Sequence, residues 1–266
     1  MQEQGQAAPW RKLLQGCAQG DHIAQVYQDD AFLLEAAGLF IRSGLEQGEG
    51  VLVVATRAHQ EAFARVLQAQ GLEPQEAVRR GQFVQLDARL ALEKFMRGGK
   101  PEWPLFYEAA GATVDSLRTK YAKVRVCGEM VGLLWQEGQR AAALQLERFW
   151  NDLMRQKKFS LFCSYMLDNL SSEGYDGLES VCRVHSHLIP ARDYERFEAA
   201  VSESSERIFG RQLARMLESL ASAQKPDTEM PPAQATLLWL KKNMAVPADE
   251  VLAQARASLN EPGQNP

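Results

Sequence analysis

The chain has few of the residues from which most active sites are built. It contains four cysteines in 266 residues, Cys17, Cys127, Cys163 and Cys182, and no two form a CxxC pair. Without paired ligands there is no zinc-ribbon signature, so the thiols are expected to be free and buried, packing as small apolar groups. Histidine is equally scarce, at four residues. His59 falls at a polar helix start and is expected to be solvated. His185 and His187 form an HxH pair in VCRVHSHLIP. No acidic or cysteine residue adjacent in sequence completes a ligand set, so both are read as hydrogen-bonded structural histidines, and no metal is expected. The GxSxG elbow of serine hydrolases and the HExxH helix of zinc peptidases are both missing.

Long apolar runs are missing too. No window approaches the roughly 18 uninterrupted apolar residues of a membrane-spanning helix. The opening MQEQGQAAPWRKLL lacks the apolar core of a secretory signal, which predicts a cytoplasmic protein. Charge of one sign is not concentrated: 30 Lys and Arg stand against 34 Asp and Glu, for a net charge of -4. A nucleic-acid surface would need clustered basic residues, so direct nucleic-acid and membrane partners are not expected.

What is present is an alternation of strands and helices. HIAQVY at 22–27 has strand character, and Asp29 or Asp30 is placed to cap a helix to about Gln47. VLVVAT at 51–56 is a continuous apolar run, as in a parallel strand covered on both faces. Helix 58–70, strand 83–86, helices 88–97 and 104–120, strand 123–127, helices 130–136 and 139–156 and strand 159–165 follow. This order predicts a mainly parallel sheet between two helical layers. Residues 1–19 read as an N-terminal arm, mobile or a short leading helix, before a domain over 20–190. One long helix is predicted over 191–222, then a linker at 223–233 and a short helical tail at 234–266. The long helix carries an apolar stripe including Phe209, Leu213, Met216 and Leu220. With Trp239 in the tail, these are the candidate residues for a partner protein or a second copy.

An open parallel sheet binds ligands beyond the carboxyl ends of its strands. A phosphate loop would stand at the first strand–helix junction, and it needs glycines, a Lys and a Ser/Thr. Here the junction is Tyr27-Gln28-Asp29-Asp30, with no glycine, no lysine and two carboxylates. The single GK pair, Gly99-Lys100, is followed by Pro101. Nucleotide hydrolysis by that machinery is excluded, no cofactor is expected, and the chain reads as a non-enzyme.

Six segments in register carry a family resemblance: GDHIAQVY at 20–27, GLEQGE leading into VLVVAT, VRVCGEM at 124–130, LERFWN at 146–151, LFCSY at 161–165 and CRVHS at 182–186. Together they resemble the MEDS domain, the sensory domain named for methanogens, methylotrophs and a dichloromethane-responsive repressor. The resemblance implies a RecA/KaiC-like three-layer sandwich that has lost its phosphate loop. It implies a sensory or relay role, in a family whose members are often fused to histidine kinases or transcription regulators. It also implies a candidate ligand pocket of His22, Tyr27, Glu129, Cys163, Tyr165 and His185. Glu129 stands where a RecA-like ATPase carries its metal-binding acid, with His22 or His185 as its expected partner. Each of these residues also has a structural reading: packing for Cys163, satisfied core hydroxyls for the tyrosines, an ion pair or helix cap for Glu129. A small-molecule sensor is the leading expectation. A pure interaction adaptor, a degenerate nucleotide-binding protein and a thiol redox sensor are the rivals.

Overall fold

The structure is a computed structural model that describes residues 8–175 and 177–260. The chain divides into two compact units, Met1–Met166 and Leu167–Pro266.

The first unit is built on five parallel strands: β1 (His22–Tyr27), β2 (Gly50–Ala55), β3 (Phe83–Asp87), β4 (Val124–Gly128) and β5 (Ser160–Met166). Their order across the sheet is β3-β2-β4-β5-β1. Register places His22 beside Leu161 and Tyr27 beside Met166, Gly50 beside Val124, and Arg125 beside Ser160. All six residues of β1 and all six of β2 are buried, as strands covered on both faces must be. Each buried Val or Leu of β2 contributes roughly 1.5–3 kcal/mol of transfer free energy.

The helices are α1 (Pro9–Gly16), α2 (Asp30–Glu46), α3 (Arg57–Ala69), α4 (Pro74–Arg79), α5 (Ala88–Phe95), α6 (Trp103–Phe106), α7 (Ala112–Lys120), α8 (Met130–Gln136) and α9 (Arg140–Lys157). A π-helical turn over Tyr107–Gly111 joins α6 to α7. One layer is formed by α1, α2 and α3, while α5, α7, α8 and α9 pack on one another and on the strands as the other. The expected three-layer α/β sandwich is what the chain forms.

Two details fix the layers to the sheet. Arg125 on β4 is fully buried; its Nε donates to Glu49 Oε2 at 2.5 Å and its Nη1 to the carbonyl of Leu14 at 2.6 Å. That bond ties α1 down, so residues 9–16 of the expected arm are a docked helix with Trp10 and Leu14 in the core. The rest of the arm, residues 1–7, lies outside the described residues. In α8, a Cβ on Gly132 would sit 2.2 Å from the carbonyl oxygen of Ser164. Only glycine lets α8 lie this close on β5.

The second unit holds α10 (Leu178–Cys182), a short strand His187–Ile189, and α11 (Tyr194–Phe209), α12 (Arg211–Gln224), α13 (Pro232–Asn243) and α14 (Ala245–Asn260). The continuous helix expected over 191–222 is divided at Gly210, whose φ of 76° no helix accommodates. The two halves, α11 and α12, pack against each other and against α13 and α14. The tail is therefore part of a helical cluster, and its last residues, 261–266, lie outside the described residues. Among the described residues no helix is long and apolar enough to cross a membrane.

Candidate functional site

The carboxyl ends of β1, β2 and β4 bring four polar side chains together. β1 ends at Tyr27, and Asp29 then caps α2, its side chain accepting from the Phe32 N–H at 2.9 Å. A helix N-terminus is a natural anion site, but here the chain's own carboxylate already occupies it. β2 ends at Ala55, and Thr56 caps α3. Glu129 follows β4 directly. Its Oε2 accepts from the Thr56 N–H at 2.7 Å, and its Oε1 lies 2.6 Å from His59 Nδ1. The other ring nitrogen, Nε2, is 3.7 Å from Asp30 Oδ1. His59 thus bridges a nearly buried carboxylate and a solvent-facing one.

This charge pattern biases protonation. The hydrogen bond to Glu129 raises the His59 pKa above its ordinary value; burial opposes this and the charges of Glu129 and Asp30 add to it. Burial, with Glu129 and Asp30 nearby, pushes the Tyr27 hydroxyl up, so it stays a neutral donor. The crevice can therefore offer a carboxylate acceptor, an imidazole and a phenol to a small polar molecule. His59 is not the solvated residue its helix-start position suggested. It is also His59, rather than His22 or His185, that pairs with Glu129.

A second cluster lies at the other end of β1, buried beneath α9. His22 opens β1, and its Nε2 is 3.2 Å from Glu147 Oε2 and 3.4 Å from Cys163 Sγ. Its Nδ1 is 3.0 Å from Asn151 Oδ1. Cys163 Sγ is 3.7 Å from Glu147 Oε2, and the Tyr165 hydroxyl donates to Glu147 Oε1. Glu147, Cys163 and Tyr165 are fully buried and His22 nearly so. Burial, reinforced by Glu147, raises the Cys163 pKa well above its ordinary value.

The six residues of the expected pocket thus do not form one site. Tyr27 and Glu129 stand in the crevice. His22, Cys163 and Tyr165 share the buried cluster. His185 belongs to the second unit, where its Nδ1 is 2.7 Å from the carbonyl of Val181. A six-residue strand rises about 16 Å between its first and last residues, so His22 and Tyr27 cannot line one small pocket. Of the partner candidates, Leu213, Met216 and Leu220 are exposed and Phe209 is half-buried. Trp239 is half-buried in its own unit, its Nε1 donating to Gln224 Oε1 at 2.9 Å. All four cysteines are free and buried, and burial raises each pKa, that of Cys182 to about 12. A reactive thiol needs the opposite environment, which leaves the redox reading without support.

The profile of the methanogen/methylotroph, DcmR sensory domain, MEDS, matches residues 21–186. The chain belongs to the MEDS family. No curated protein matches it at a significant level. As a MEDS protein it carries a sensory domain, and both clusters lie wholly inside the matched span, whereas α11–α14 lie beyond it.

Sequence reasoning missed Asp30, His59, Glu147 and Asn151. Glu147 left a signal. Ala143, Leu146, Trp150 and Met154 mark the buried stripe of α9, and Glu147 occupies a position on that stripe, where a carboxylate is costly unless satisfied. Asn151 sits one turn further along. His59 left none, because its partner lies 70 residues away.

Proposed function

We propose that this MEDS chain is a non-catalytic sensory module. It takes a small polar molecule in the crevice at the carboxyl ends of β1, β2 and β4, and relays occupancy to a separate regulatory protein such as a histidine kinase or transcription regulator. The observation that carries this reading is the convergence of Tyr27, Asp30, His59 and Glu129 at that crevice. Beside them, the helix terminus where a phosphate would bind is filled by Asp29. The site favours a neutral or cationic hydrogen-bonding ligand over a triphosphate.

Thermal shift and calorimetry against short alcohols, amines and carboxylates, with ATP–magnesium as a separate arm, test it. Ligand at 100 times its Kd stabilises by about 2.7 kcal/mol, which raises Tm by several degrees. The shift should vanish in Glu129→Gln and His59→Asn. A shift that survives both substitutions places binding elsewhere. Magnesium-dependent ATP binding lost in Glu129→Gln would favour the degenerate nucleotide-binding reading.

A second reading, a pure adaptor, draws on the exposed Leu213, Met216 and Leu220 of α12. It requires that Leu213→Ser with Met216→Ser abolish partner binding while the crevice substitutions leave that binding unchanged.

A further inference from the structure

The geometry points to a buried divalent metal site of the zinc class, with His22 Nε2, Glu147 Oε2 and Cys163 Sγ as its protein ligands. This site is separate from the crevice and does not depend on the reading given to it. The three donor atoms form a triangle with edges of 3.2 Å (N to O), 3.4 Å (N to S) and 3.7 Å (S to O). Zinc bonds of about 2.0–2.1 Å to nitrogen and oxygen and about 2.3 Å to sulfur, at tetrahedral angles, require edges of about 3.3, 3.6 and 3.6 Å. The observed triangle is within about 0.2 Å of that on every side, the tolerance expected of a real site. No ligand has to move far to accept an ion.

The surrounding contacts point the same way. His22 Nδ1 lies 3.0 Å from Asn151 Oδ1, a contact that holds the ring with Nε2 turned towards the thiol and the carboxylate. Holding the far nitrogen of a ligating histidine by an outer hydrogen bond is also how metal sites orient the ring. The Tyr165 hydroxyl performs the same service for Glu147 by occupying its other oxygen, Oε1.

Charge balance selects the ion. Thiolate and carboxylate contribute one negative charge each and the imidazole none, so a divalent ion leaves a fully buried site neutral. An isolated charge could not be tolerated there. Sulfur and imidazole ligation excludes magnesium and calcium, which take oxygen, and suits zinc and its borderline neighbours. On loading, the Cys163 proton leaves to solvent and a metal–sulfur bond forms, with no change of oxidation state. Sequence spacing conceals the set, because the ligands come from β1, α9 and β5 at residues 22, 147 and 163.

The test uses the full 266-residue chain. The chain is refolded anaerobically from denaturant with one equivalent of cobalt(II) or zinc(II), and a parallel sample is refolded with chelator. The expected result is one metal per chain by elemental analysis. The cobalt form should show a thiolate-to-metal charge-transfer band in the near ultraviolet and tetrahedral d–d bands in the visible. Cys163→Ser should lose the charge-transfer band and Cys127→Ser should keep it. Asn151→Ala should weaken zinc about 10–100-fold, as loss of an outer-shell partner does. Folded wild-type protein with no charge-transfer band and no stoichiometric metal overturns the site, whether or not the variants fold. So does a Cys163→Ser protein with an unchanged cobalt spectrum.

Discussion

Two histidine–carboxylate contacts stand on one sheet, at opposite ends of β1, and they differ in access to water. In the buried contact, His22 and Glu147 are sealed beneath α9, and the neighbouring polar groups, Cys163 and Tyr165, are sealed with them. In the crevice contact, Glu129 is nearly buried, but His59 reaches outward to Asp30, whose side chain is 61% exposed. The geometry of the sheet causes the difference. Strand ends open onto loops and helix starts, where solvent and ligands arrive, while the face of β1 and β5 that carries the buried contact is roofed by α9. The same pair of residue types can therefore exchange a ligand or proton at one end and hold something permanently at the other.

The comparison is broken most severely through Glu147. Replacing it by alanine leaves the imidazole of His22 and the hydroxyl of Tyr165 buried without their carboxylate. Removing one member of a buried polar set of this kind costs about 3 kcal/mol or more. Urea denaturation should show a lowered midpoint with an unchanged m-value. A loss under about 1 kcal/mol would mean that water reaches the cluster and that the two ends of β1 are alike.

Much of this arrangement was legible in the sequence, though unevenly. The apolar runs of β1 and β2 read as strands covered on both faces, and the missing glycines and lysine at Tyr27–Asp30 exclude a phosphate loop from the sequence alone. What could not be read was which side chains meet. Alternation along a strand says that His22 and Tyr27 point to opposite faces, yet strand-terminus reasoning grouped them, because register is set by pairings between distant segments. His59 was invisible for the same reason. Gly210 was legible in principle, as a glycine inside a helical pattern, but the apolar stripe running through it on both sides outweighed it.

Glu129 sharpens the contrast from the other side. Glu129→Ala removes the acceptor for the Thr56 N–H and for His59, but solvent can partly replace it. A cost of about 1–2 kcal/mol is expected, clearly below that of Glu147→Ala. Glu129→Gln should recover part of it, since an amide oxygen can still accept from Thr56. Both are measured by the same urea titrations. A cost equal to that of Glu147→Ala would show that the crevice is as closed as the buried cluster.

The smallest effect concerns pH, and its sign follows from His59. The folded-state pKa of His59 is raised above its ordinary value, first by the hydrogen bond to Glu129. A group whose folded pKa is raised contributes stability that is fully present below its unfolded pKa, about 6.5 for histidine. That contribution is lost as pH rises through the folded value. The difference in stability between wild type and His59→Asn should therefore be largest near pH 5.5 and shrink towards pH 9. Its size should be about 1 kcal/mol or less, because the pair is in contact with solvent. Denaturation midpoints of the two proteins across that range measure it. A difference that stays flat with pH would mean that His59 is held neutral, as an acceptor or a single donor. The crevice would then present two carboxylates, Glu129 and Asp30, and its preferred ligand would be a cation.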